Sequence, residues 1–440
     1  MPRLSTPTIV RFWLPLAGTW LMMAFEGPFL AAIIARLPNP TENLAAYGVA
    51  FAFAVIIESP IIMLLSASTA LVRDRGSYAA LSRFSYTLNV VLTAIIVVVI
   101  VPSVFGRVAD LMRLPVEARE LTRQSLAWLI PWPGFIGYRR FKQGLLISHN
   151  RTRLVAVGTV IRLATMGTTA LAVARWTLLP GAEVGAVALS CGVILEAVAS
   201  GWMARRIVRR LPDRHEETEA QPLTLSRIVA FYLPLAASAM MAMAVQPMVT
   251  FFMGTSRFAL ESLAVLPVIN GLTFIFRSLG VSYQEAGIAL TGRNGEHYPE
   301  LRRFATGLGI TTSICLALIA FTPLSSLWFG RISGLSPELT AFALLPTRIL
   351  AALPGLSVLL SFQRSLLLNA RRTTWITWAT LIEVTAIAAI ILGAIGVLDL
   401  PGAVAAAIGL ILGRVLSNAF LLRPCWGVVR GYRSSHTEEP

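Results

Sequence analysis

The sequence predicts an all-α polytopic membrane protein of about twelve transmembrane helices, built as two parallel six-helix repeats. Three observations predict it. Of 440 residues, 56% are hydrophobic and 13% charged, and the mean hydropathy is +0.71, whereas an ordinary soluble protein has about 25% charged residues. Apolar runs long enough to carry a helix across roughly 30 Å of hydrocarbon recur along the whole chain, and no sizeable soluble segment is left between them. Proline and glycine positions of the first half return in the second at a nearly constant offset.

Span 1 covers 9–35. It follows Arg3 and Arg11 but runs on past Glu26 without a cleavage-site pattern, so it reads as a retained span and not a signal peptide. Spans 2 to 6 cover 44–72, 86–108, 122–148, 152–176 and 183–206. A polar segment, 209–221, then separates a first lobe, 1–208, from a second, 222–440. Spans 7 to 12 cover 227–255, 262–291, 304–330, 339–369, 373–397 and 401–428. Twelve spans put both termini on one side. With the 209–221 linker on that side too, it carries twenty arginines against eight on the other, so the positive-inside rule makes it cytoplasmic, in an integral cytoplasmic (inner) membrane protein.

The repeat is read from Phe12-Trp-Leu-Pro-Leu-Ala17, which returns as Phe231-Tyr-Leu-Pro-Leu-Ala236, and from Pro28, which returns as Pro247, both at an offset of 219. Pro133-Gly134 matches Pro354-Gly355, and Leu179-Pro-Gly-Ala182 matches Leu400-Pro-Gly-Ala403, at 221. Each half has an even number of spans, so both insert in the same orientation and are parallel repeats. A cleft between two such lobes suits alternating access.

These segments belong with Arg11-Phe12, Leu44-Ala-Ala-Tyr-Gly-Val-Ala50, Pro60 followed by Arg73-Asp-Arg75, Gly144-Leu-Leu-Ile147 with His149, and Pro346-Thr-Arg348 with Pro354. Together they resemble the MATE-type superfamily of multidrug, oligosaccharidyl-lipid and polysaccharide exporters. Within it the chain is most similar to the progressive ankylosis family, associated with export of pyrophosphate, citrate or nucleotide. The resemblance implies a two-lobe fold with a V-shaped central cleft. The chain also departs from the superfamily's cation exporters, which tend to carry acids in both lobes for H⁺ or Na⁺ coupling. Glu26 has Val245 as its second-half counterpart, and span 10 carries Arg348 where an acid is expected.

Nine basic residues fall inside spans: Arg139, Arg140, Lys142, Arg162, Arg277, Arg348, Arg364, Arg414 and Arg423. The acids there are Glu26, Glu58, Glu196, Glu285 and Glu383. A charge near the bilayer centre costs about 2.5–3.5 kcal/mol on the insertion scale, so these side chains are expected to face one another, backbone groups or a water-filled cavity. The excess of Arg, a planar fork suited to carboxylate or phosphate, makes Arg139, Arg140, Lys142, Arg348 and Arg364 the candidate substrate-binding set. Residues 139 and 142 share a helix face and 140 points about 100° away. Glu26, two residues before Pro28, is the candidate for coupling to H⁺ or Na⁺. Glu58 corresponds to Arg277 and Arg162 to Glu383, so opposite charges occupy repeat-related positions. They are candidates for a gate between lobes, against the alternative that each charge pairs inside its own lobe, for instance Arg414 with Glu196.

No phosphate loop, HExxH pair or GxSxG elbow is present. The net charge of +15 is spread between spans and not gathered in a domain, which argues against nucleic acid. Cys191, Cys315 and Cys425 have no metal or disulfide spacing. No cofactor, metal or enzyme activity is expected. The reading is a monomeric secondary active transporter working by alternating access and exporting a small carboxylate- or phosphate-bearing anion. The alternatives are a flippase for a lipid-linked diphosphate and an H⁺- or Na⁺-coupled cationic multidrug efflux antiporter.

Overall fold

The computed structural model describes residues 4–149, 151–212, 223–292, 295–370 and 372–437. Among these, eleven helices are long and apolar enough to cross a membrane. The expected fourth span, 122–148, is instead two shorter helices, Val116–Trp128 and Trp132–Ser148, joined at Leu129–Pro131. Arg139, Arg140 and Lys142 lower its hydropathy, and Pro131 with Pro133 breaks its hydrogen-bond ladder. Expected span 3, 86–108, is shifted towards the N-terminus. Its helix, Arg75–Val99, stops before Pro102, and Pro102–Leu111 forms a separate short helix.

Prolines shape both first spans. Span 1 is two helices, Thr6–Ala24 and Glu26–Ile34, and span 7 is likewise Leu225–Met243 and Val245–Met253. Pro28 and Pro247 lack the N–H that would bond four residues back, near each break, so the interruption falls at the same repeat position.

The chain forms two compact units, one of residues 37–251 and one of 1–36 with 252–440. Sequence halves and packing units are therefore different partitions: span 1 packs with spans 8 to 12, and span 7 with spans 2 to 6. An aromatic residue at one repeat position anchors each first span. Trp13 donates from Nε1 to Ser282 Oγ at 2.9 Å, in a core with Ile9, Tyr283, Phe362 and Leu366. Its counterpart Tyr232 donates its hydroxyl to the Pro60 carbonyl and meets Phe84 edge-on at 5.0 Å. Of the 209–221 linker, residues 213–221 lie outside the described residues. Arg209 ends the helix Gly181–Arg209, and the Pro212 carbonyl accepts from Arg75 N at 3.1 Å.

Each unit repeats the other's details. Asn39 and Phe258, 219 apart, both take positive φ (53° and 54°) just before spans 2 and 8. Asn43 Oδ1 accepts from Ala182 N at 2.9 Å, and its counterpart Ser262 Oγ accepts from Ala403 N at 3.2 Å, so the start of each sixth helix is capped by the second. Gly192 and Gly413, 221 apart, let the fifth and sixth helices of each unit touch. A Cβ would stand 3.1 Å from the Arg162 carbonyl in one unit and 3.1 Å from that of Glu383 in the other.

Candidate functional site

In the 37–251 unit, helix Pro40–Glu58 ends where Ser59 and Pro60 turn the chain into the short 3₁₀ turn Ile61–Met63. The buried Glu58 carboxylate there accepts from Trp132 Nε1 at 2.5 Å. Arg139, on the helix that Trp132 opens, pairs with Glu196 of span 6. One turn on, Gln143 Nε2 donates to the same carboxylate at 3.1 Å. Arg162 of span 5 completes its surroundings at 3.3 Å. Glu196 is fully buried and is the hub of this network. Arg140 lies within electrostatic reach of Glu58, Glu196, Arg139 and Arg162, yet its buried Nε has no hydrogen-bond partner.

Lys142 takes a different direction. Its Nζ donates to Tyr78 Oη at 2.6 Å and lies 5.0 Å and 5.2 Å from the Tyr78 and Tyr138 ring centres. Residues 139 and 142, expected on one helix face, thus reach different neighbours: 139 aligns with 143 towards span 6, while 142 is turned to span 3.

In the other unit, Arg414 of span 12 bonds Glu383 of span 11, from Nε at 2.8 Å and Nη2 at 2.7 Å to the same oxygen, and its Nη1 donates to Ser357 Oγ at 3.0 Å. Arg364 donates to Thr380 Oγ1 at 3.1 Å. Arg277 lies within electrostatic reach of Arg414 and Glu383, and its buried Nε has no hydrogen-bond partner. Arg348 is apart from this cluster. It donates from Nε to the Ala320 carbonyl at 3.1 Å and lies over the Phe321 ring at 5.6 Å, at the end of helix Tyr298–Phe321. A cation there satisfies a terminal carbonyl and complements the helix dipole.

The structure thus gathers Arg139, Arg140, Arg162 and Glu58 in one unit and Arg277, Arg364 and Glu383 in the other. It puts Lys142 and Arg348 elsewhere, and Glu26 at the start of the second helix of span 1. Glu196 and Arg414, the acid and the base that organise the two clusters, stand in the sequence analysis as an example of a pair inside one lobe; instead Arg414 bonds Glu383, and Glu196 pairs with Arg139 and Arg162, because each helix carries its charge against the neighbour it packs on. Their signal was present in Gly192 and Gly413, which place spans 5 and 6, and 11 and 12, in contact. The opposite charges of Arg162 and Glu383 then have a local cause. The pair between spans 5 and 6 is Arg to Glu, the pair between spans 11 and 12 is Glu to Arg, and each residue's recorded partner belongs to its own unit. Among the described residues, no group of three or more His, Cys, Asp or Glu could hold a metal ion.

The whole chain is similar to solved transporters. An inward-facing multidrug resistance MATE family transporter of the MOP superfamily matches with a TM-score of 0.72, over 94% of this chain and 96% of that one, at 14% identity. The fold is that of the MATE transporters, twelve helices in two lobes. An outward-facing MATE transporter matches this MATE-fold chain with a TM-score of 0.65, over 97% and 96% of the two chains, at 15% identity. A MOP superfamily transporter from Pyrococcus furiosus, described as having a binding pocket of reverse polarity, matches with 0.59 over 96% of each chain at 14% identity. No protein-family model and no curated protein matches the chain.

Proposed function

We propose that this MATE-fold protein is a secondary active transporter that exports a small carboxylate- or phosphate-bearing anion by alternating access. The observation that carries the anion is the imbalance of buried charge. Three arginines accompany two glutamates in one unit (Arg139, Arg140, Arg162 with Glu58, Glu196) and one glutamate in the other (Arg277, Arg364, Arg414 with Glu383). Arg140 and Arg277 keep buried Nε groups without hydrogen-bond partners. A buried guanidinium Nε without an acceptor is costly, and an anion that binds bidentately relieves that cost. The alternating mechanism is supported by the occurrence of one fold in inward-facing and outward-facing structures of MATE transporters. The Pyrococcus furiosus protein, whose reverse pocket polarity suggests a different function, supports a change of pocket charge within this fold.

In this reading Arg140 in one unit and Arg277 and Arg364 in the other are the leading anion ligands, and Glu26 is the coupling carboxylate. Arg162 and Glu383 tie helices together within their own units, leaving Glu58 and Arg277, one in each unit, as the charges proposed to respond to the transport cycle. The protein works as a monomer in the inner membrane with cytoplasmic termini, and resembles the progressive ankylosis family in its cargo. The test is flux in proteoliposomes, with citrate and pyrophosphate against an isoprenoid diphosphate and a cationic dye. Saturable movement of a small anion, weakened by Arg277→Gln, is expected. Movement of the dye alone, indifferent to that substitution, would return the protein to cation efflux, and movement of the isoprenoid diphosphate alone would make it a flippase.

A further inference from the structure

The two repeats differ where spans 9, 10 and 12 meet. A groove of about 670 Å³ runs there, with span 10 as its floor and spans 9 and 12 as its walls. Ala305, Gly309, Leu359, Leu422 and Val429 give it an apolar lining. At one end it is continuous, through Tyr298 and Arg302, with a cavity of about 760 Å³ bordered by Arg303 and Tyr432. Arg302 and Arg303 are exposed, one turn into helix Tyr298–Phe321, whose N-terminus adds its own positive end. Glu296 also borders this mouth but is turned towards Gly292.

The first repeat carries larger side chains at the same place. Gly134 meets Thr93 as Gly355 meets Ser313, so residues of span 3 correspond to those of span 9 at an offset of 220, and Tyr86, Asn89 and Tyr138 correspond to Thr306, Gly309 and Leu359. Tyr86 and Tyr138 lie with ring centres 6.4 Å apart, Tyr138 covers Gly201 and Asn89 lies against Gly137. Where one repeat has two tyrosines and an asparagine, the other has a threonine, a leucine and a glycine, and the groove is open.

We propose that this groove is a binding site for an anionic diacyl phospholipid of the surrounding bilayer, its phosphate held by Arg302 and Arg303 and one acyl chain lying along Gly309 and Leu359. Spans 9 and 12 are among the helices able to cross the membrane, so the apolar wall stands in hydrocarbon where lipid is the available occupant. Two guanidinium groups at the end of an apolar channel match a phosphate on an acyl anchor. Tyr298, Trp426 and Tyr432 line the groove and its mouth, as ring side chains do at the headgroup level. The site stands independently of the transported solute.

The test uses the purified full chain. Phosphatidylglycerol, phosphatidylcholine and inorganic phosphate are titrated separately, with retained lipid counted by native mass spectrometry and melting temperature read in parallel. Phosphatidylglycerol is expected to be retained and to raise the melting temperature, and phosphatidylcholine and phosphate to do neither. R302Q/R303Q should weaken retention about thirty-fold, since each basic residue near a charged headgroup contributes ~1 kcal/mol. T306Y/L359Y, which transplants the tyrosines of the first repeat, should abolish it while leaving the helical circular dichroism unchanged. Equal retention of both lipids, protection by inorganic phosphate alone, or unchanged retention in both variants would overturn the proposal. If T306Y/L359Y misfolds, undiminished retention by R302Q/R303Q overturns it alone.

Discussion

Glu383 and Arg414 form a two-point contact through one carboxylate oxygen, at 2.8 and 2.7 Å, that joins spans 11 and 12. Spans 5 and 6 are joined by Arg162 and Glu196 with acid and base exchanged. Each pair lies beside an equivalent glycine that lets the two helices touch.

Removing one partner leaves the other charge buried, which costs about 3–5 kcal/mol. Arg414→Ala is therefore expected to lower the unfolding free energy by that order, read by thermal or chemical unfolding in detergent. The reversal E383R/R414E rebuilds the polarity already used between spans 5 and 6 and should recover a large part of the loss. Additive defects in the double variant would show that the two side chains act separately.

Gly413→Val places a Cβ 3.1 Å from the Glu383 carbonyl and adds two methyl groups beyond it. Spans 11 and 12 must then separate, at a cost of about 1–3 kcal/mol. Gly393→Ala, where a Cβ meets nothing within 4 Å, should leave the melting temperature unchanged and serves as the control. Equal melting temperatures for the two variants would contradict close packing at Gly413.

Arg348 and Arg277 are expected to respond differently to truncation. Arg348 holds the Ala320 carbonyl, so Arg348→Ala should lose about 0.5–2 kcal/mol of stability, as for other cap and charged hydrogen bonds. Arg277 gives up no hydrogen bond from Nε, so Arg277→Gln should leave the melting temperature close to wild type and lower anion flux. Melting temperature and proteoliposome flux measured on both variants check this, and a stability loss confined to Arg277→Gln would reverse the assignment.

Asn43→Ala removes the acceptor for Ala182 N, and Ser262→Ala the acceptor for Ala403 N. Each should destabilise by about 0.5–2 kcal/mol. Hydrogen exchange should speed up at Ala182 in the first variant and at Ala403 in the second, and protection that is unchanged at both would remove these side chains as caps.

What the sequence determined by itself was whatever depends on length and periodicity. A run of about twenty apolar residues must be helical to satisfy its backbone in lipid, and Pro28 and Pro247 mark equivalent interruptions however the helices pack. The same reasoning reached the repeat and, through the cost of intramembrane charge, the residues that had to find partners. Two things were decided only by tertiary structure. One is that span 1 packs with spans 8 to 12 and span 7 with spans 2 to 6, because Trp13 and Tyr232 are apolar-face residues whose partners, Ser282 and the Pro60 carbonyl, are set by shape and not by proximity in the chain. The other is which charges meet: Arg139 and Lys142 lie three residues apart yet turn to Glu196 and Tyr78, since a helix spreads such positions over about 60° and each side chain reaches only the neighbour that packing puts in front of it.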